Sequence, residues 1–78
     1  MKVIYHPNAE KVLCSLPAHD RDMIKTKLRL YAETGQGDVR KLTGRDEYRI
    51  RIGVWRALFV IRDGVLVLKV AHRREVYR

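Results

Sequence analysis

The stretch that decides the fold is YRIRIGVWRALFVIRDGVLVLKVA, Tyr48 to Ala71. Tyr48, Ile50 and Ile52 alternate with Arg49 and Arg51, the two-residue period of a strand with one apolar and one cationic face. Gly53 marks a tight connection. Trp55 to Ile61 is an almost continuous apolar strand, broken only by Arg56. Asp63-Gly64 is the strongest hairpin signal in the chain, because a type I′ turn needs positive φ and both residues tolerate it. Val65 to Ala71 then reads as the last strand, with Lys69 inside it. Three strands follow one another through short turns, which makes an antiparallel meander.

The meander needs cover for its apolar face, and the N-terminal half supplies it. Lys2 to Tyr5 is a short β-prone segment ended by Pro7. Asn8 is suited to cap a helix in which Ala9, Val12, Leu13 and Leu16 recur at helical spacing. Pro17 stops that helix. A second helix runs from Ala18 or Asp20 to about Glu33, with Ile24, Leu28 and Tyr31 on one stripe and Leu30 and Ala32 broadening it. Gly35 is its C-cap. Val39 to Thr43 is a further short strand, and Gly44-Arg45-Asp46 a turn. The expected fold is α+β, in the order β-α-α-β-β-β-β. A helical hairpin packs on one face of a small antiparallel sheet, and the N-terminal strand joins at an edge. At 78 residues the chain is read as one domain, 1–78.

Charge is the strongest compositional signal. Lys and Arg number 17 against 9 Asp and Glu, a net +8. The excess is uneven, +2 over residues 1–35 and +6 over residues 36–78. The C-terminal half therefore reads as facing a polyanion, since such a field concentrates nucleic acid. A solubility surface is the plainer reading. The single cysteine, Cys14, cannot form an internal disulfide and reads as helix packing. The N-terminus lacks a signal-peptide pattern, and no apolar run approaches the roughly 20 residues of a membrane span. The expectation is a cytoplasmic protein that does not engage membranes. His6 and His19 stand alone, so neither a metal site nor a cofactor is expected.

Arg49 and Arg51 emerge on one face of their strand, where two guanidinium groups can hold a phosphate backbone. Pairing around Gly53 is expected to bring Arg56 close to Ile50, one place from either arginine, with a bulge able to bring it alongside them. Arg73, Arg74 and Tyr77, at the end of the last strand, converge on the same face if that strand lies centrally. RNA cleavage by the neighbouring 2′-hydroxyl needs a base, cations for the phosphorane, and an acid for the leaving oxygen. Arginine stabilises charge but stays protonated. Proton transfer falls to Tyr77, in a cationic setting, or to His72. Trp55 is either core or a stacking platform.

Two stretches resemble a known family. VRKLTGRDEYRIRIGVWRALF, Val39 to Phe59, is similar to the central signature of RelE/ParE-type toxins. VAHRREVY, Val70 to Tyr77, is similar to their terminal motif, and the segment Ala9 to Pro17 also fits. The resemblance covers nearly the whole chain. It implies a RelE-like microbial RNase fold and a cognate antitoxin protein. In the RelE branch it implies metal-independent cleavage of mRNA in the ribosomal A site, with ribosome and mRNA as partners. Operator DNA is then bound only through the antitoxin complex. By motif position Arg49, Arg51, Arg56, Arg73 or Arg74, and Tyr77 match the catalytic set. Lys41, Arg45, Trp55 and His72 are assigned to substrate binding. The family commonly has lysines where Arg49 and Arg51 stand; arginine there keeps phosphate stabilisation but is the poorer proton carrier. The ParE branch shares the scaffold and implies inhibition of DNA gyrase. A third alternative is an inactive, toxin-like module acting only with its antitoxin.

Overall fold

A computed structural model describes residues 1–75. The elements are β1 (Val3–Tyr5), α1 (Pro7–Ser15), α2 (Ala18–Thr34), β2 (Asp38–Lys41), β3 (Tyr48–Ile52), β4 (Trp55–Ile61) and β5 (Val65–His72). They form one five-stranded sheet in the order β1-β5-β4-β3-β2. The three contacts along the meander are antiparallel, and β1 joins β5 in parallel. The expected α+β class, element order and edge placement of β1 all hold.

Both helices cover one face. Ala9 and Leu13 of α1, and Ile24, Leu28 and Ala32 of α2, are buried against Ile50, Ile52, Ala57, Phe59, Val65, Val67 and Val70. The alternation that marks β3 as a strand is the reason: Ile50 and Ile52 point into this layer, and Arg49 and Arg51 point away. Tyr31 and Tyr48 flank Phe59, with ring centroids 5.2 and 5.4 Å away. No helix among the described residues is long and apolar enough to cross a membrane.

Three local expectations need correction. Asn8 lies inside α1, and His6 is the N-cap; its Nδ1 accepts the Asn8 N–H at 3.1 Å. Pro7 takes the first helical position, where a missing N–H costs nothing. The β2 strand ends at Lys41 rather than Thr43, because the Leu42 N–H turns back to the Glu47 carbonyl at 2.9 Å. The β4–β5 loop is not a two-residue type I′ turn. Ile61 pairs with Val65, leaving three residues, and the Arg62 N–H reaches the Gly64 carbonyl at 2.9 Å. Asp63 and Gly64 do both take positive φ, 55° and 129°.

Gly53-Val54 is a two-residue hairpin turn with positive φ (59°) at Gly53 alone. That is the type II′ pattern, which asks for glycine first. This turn fixes the register of β4 against β3.

Candidate polyanion-binding face

The face turned away from the helices carries the cations, and the pairing register sets their order. One cross-strand row runs Asp38, Arg51, Arg56, Ala71. The next runs Arg40, Arg49, Leu58, Lys69. Arg56 thus stands directly opposite Arg51, not close to Ile50 and one place away as expected. The reason is the two-residue Gly53-Val54 turn, which pairs Ile52 with Trp55 and so sets every β3–β4 partner one place from the expected one. No bulge is needed to bring the arginines together. The irregularity in the β4–β5 ladder falls elsewhere, between Leu58 and Phe59.

Two like charges in a directly opposed pair repel, and the structure offsets this locally. Arg51 Nε and Nη2 both lie 2.6 Å from Asp38 Oδ2 on the outer strand. The Arg56 guanidinium folds over its own turn, with Nη1 donating to the carbonyls of Gly53 at 2.7 Å and Trp55 at 2.8 Å. That contact ties Arg56 to the hairpin that positions it.

The face is not wholly cationic. Leu58 and Ala71 are buried on it under Leu42. Farther along the strands, Ile4, Leu66 and Val60 form an apolar row.

The remaining predicted residues are placed as follows. Arg73 and Arg74 are exposed in a turn after β5. The Arg73 N–H donates to the Val54 carbonyl at 2.7 Å, so both arginines sit at the end of the sheet occupied by Arg51 and Arg56. Trp55 and His72 pair with each other and share the helix-facing side with Ile52, their rings 5.7 Å apart and edge-to-face. They are not on the arginine face. Lys41 pairs with Tyr48 at the outer edge and shares its helix-facing parity. Arg45 is in the β2–β3 loop, in a close ion pair with Glu47. Tyr77 lies outside the described residues. Among the described residues no three His, Cys, Asp or Glu side chains gather as a metal-ligand group.

Sequence reasoning passed over Arg40 and Lys69. Both lie in the Arg49 row; Arg40 falls inside the Val39–Phe59 signature without being assigned a role, and Lys69 lies outside both quoted motifs. Strand alternation and the β2–β3 register place Arg40 on this face, whereas Lys69 reaches it only through the irregularity that pairs it with Leu58 while Phe59 pairs with Val67.

Residues 3–77 match the family model described as the ParE toxin of the type II toxin-antitoxin system parDE. Solved RelE structures share the fold. RelE from the RelB–RelE antitoxin-toxin complex of Methanococcus jannaschii is 25% identical, with a TM-score of 0.76 over 95% of this chain and 94% of that one. RelE from the archaeal RelE–RelB complex of Pyrococcus horikoshii OT3 is 26% identical, with a TM-score of 0.70 over 96% and 97%. The isolated Escherichia coli RelE toxin is 25% identical, with a TM-score of 0.70 over 96% and 88%. No curated protein matches. The chain belongs to the RelE/ParE superfamily of type II toxins, and the structures it resembles include toxins caught with their antitoxins.

Proposed function

We propose that this toxin is a metal-independent endoribonuclease that cleaves mRNA in the A site of the ribosome and so inhibits translation. The observation that carries the reading is the open face itself. It holds Arg40, Arg49, Arg51, Arg56 and Lys69 in two adjacent rows, on the sheet side that the helices leave uncovered. Such a face suits a ribose-phosphate backbone held at successive phosphates.

The chemistry then divides by residue type. The guanidinium groups of Arg49, Arg51 and Arg56 stabilise the negative charge that builds as the 2′-oxygen, losing its proton, attacks the phosphorus and the P–O5′ bond breaks, the 5′-oxygen leaving as a hydroxyl once protonated. Arg73 and Arg74 add charge at the same end of the sheet. Proton transfer falls to Tyr77 in this reading. His72 stands with Trp55 on the other side of the sheet, away from the opposed Arg51 and Arg56. Lys69, in the Arg49 row, adds a further cation for the same backbone. The ribosome supplies substrate alignment, which is why a face with so few proton-transfer groups suffices. The protein would act in the cytoplasm, bound by its cognate antitoxin when silent, and would meet operator DNA only through that complex.

The ParE name of the matched family supports a second reading, inhibition of DNA gyrase. One paired experiment separates the two. Purified toxin is added to translating ribosomes and, separately, to gyrase with relaxed plasmid. The proposal expects discrete cuts within A-site codons by primer extension, and unaltered supercoiling. Intact mRNA together with blocked supercoiling assigns the toxin to gyrase.

A further inference from the structure

At the end of the sheet order stands β2, which pairs with β3 on one side only. Its bonding shows what it presents on the other. The Leu42 N–H donates to the Glu47 carbonyl at 2.9 Å, so the backbone groups of Leu42 face the β3 side. Alternation turns those of Arg40 and Asp38 the same way, and those of Val39 and Lys41 outward. Among the described residues no strand lies beyond them. A row of outward N–H and C=O groups is a template for a further strand.

Charge decides which strand fits. Asp38 and Arg40 stand two apart on the open face, and Val39 and Lys41 lie on the helix side. Both Arg40 and Lys41 are exposed, and cations on an edge guard it against an arbitrary strand. A matching strand sets a carboxylate against Arg40 and a cation against Asp38. The reversed sequence of β2 itself does this. Two antiparallel, two-fold registers overlap three of its four residues. One opposes Arg40 to Arg40 of the second copy, a like-charge pair that destabilises. The other opposes Val39 to Val39 and sets Asp38 against Arg40 in both directions. In that second register Lys41 meets Gly37 of the other copy, where no side chain obstructs its stem. A groove of about 410 Å³, lined in part by Met23, Leu30 and Gly37, lies beside that position.

We propose that the protein pairs with a second copy of itself along β2, in the register that opposes Val39 to Val39. The two five-stranded sheets then continue as one. The two-fold axis of an antiparallel pair runs perpendicular to the sheet, so both helix layers lie on one side and both open faces on the other. The row Arg56, Arg51, Asp38 runs on into Arg40 and Arg49 of the second copy. Asp38 sits between two guanidinium groups, its own Arg51 at 2.6 Å and the second copy's Arg40. The second copy thereby extends the polyanion-binding face across the junction. The inference stands on the edge and its charges, independently of the RNA-cleavage reading.

The contact is short, so a dissociation constant on the order of 10–100 μM is expected. Sedimentation velocity on the nuclease-treated toxin, from about 1 to 500 μM, should follow a monomer–dimer equilibrium in that range. Asp38→Arg and Arg40→Asp each turn two attractive contacts into repulsive ones and should each weaken the dimer about tenfold or more. An equimolar mixture of the two variants opposes unlike charges again and should regain the parent's association, as should the double exchange in one chain. Both positions are exposed, so far-ultraviolet circular dichroism of the variants should match the parent. A parent that stays monomeric at about 500 μM overturns the proposal. So does a dimer that neither single variant weakens, or one that the mixture and the double exchange both fail to restore.

Discussion

Asp38 and Arg51 face each other across β2 and β3, and their ion pair sets how much of the Arg51 charge an incoming phosphate meets. Both side chains are about half exposed, 46% each, so the pair adds little stability. Asp38→Asn should change the unfolding free energy by less than about 1 kcal/mol. It should tighten binding to a short RNA and steepen the fall of log K with log salt by about one contact. An unchanged salt slope, measured by fluorescence anisotropy, would place Arg51 outside the RNA contact.

Tyr5 behaves differently, being half-buried on the helix side under Lys25, whose Nζ lies 5.3 Å from the ring centre. Burial, then the neighbouring Glu10 carboxylate, push its phenol from 10.0 up to about 12, with Arg29 pulling the other way. A phenol raised in the folded state contributes stability in full below pH 10, and that contribution is lost as pH climbs through 12. Alkaline unfolding between those values should be shallower in Tyr5→Phe than in the unaltered protein. Ultraviolet titration, in which Tyr5→Phe should remove one tyrosine's absorbance change near pH 12, checks the assignment.

At the level of elements, the junction of β1 with the β4–β5 loop is the most constrained. Gly64 is buried at φ 129°, and a Cβ there would meet the Lys2 carbonyl oxygen at 2.8 Å. That oxygen also accepts the first β1–β5 ladder bond, from Val65. Gly64→Ala should therefore cost about 1–3 kcal/mol in urea unfolding. Fluorescence and far-ultraviolet circular dichroism should report the same transition. An alanine variant as stable as the parent would mean that β1 is not seated as described. The Asp63-Gly64 pair announced a turn, but its loop length depended on where Ile61 met Val65. Periodicity made β3, β4 and both helices legible, because each buries one regular stripe. The exact capping residue was not legible: Asn8 has the better capping side chain, yet Pro7 at the first helical position hands that role to His6.

Across the whole molecule, the two faces of the sheet divide the labour. The helix side contains the core, and the open side carries most of the strand cations. The alternation of Arg49 and Arg51 with Ile50 and Ile52 made that division readable before any coordinates. Membership of the site was harder to read. Arg56 was assigned the wrong partner because the length of the Gly53 turn sets the register, and a one-residue shift changes every cross-strand neighbour. Trp55 and His72 were grouped with the arginines because they are close in sequence, whereas strand parity puts them on the opposite side. The site role of Arg40 and Lys69 is not legible from the sequence, because cross-strand rows join residues far apart in the chain and Lys69 joins its row only through the irregularity in the β4–β5 ladder.

The same division provides the most direct test, because it separates an arranged face from a merely basic protein. Two double variants of equal net charge can be compared by primer extension on translating ribosomes. Arg49→Gln with Arg56→Gln neutralises two cations of the open rows. Lys27→Gln with Arg29→Gln neutralises two exposed cations on α2, on the other side of the sheet. The account predicts that A-site cleavage falls by about 100-fold or more in the first pair and stays within a few-fold of the parent in the second. Equal losses in both would show that net charge alone brings the toxin to the ribosome, and undiminished cleavage in the first pair would contradict the assignment of the open face.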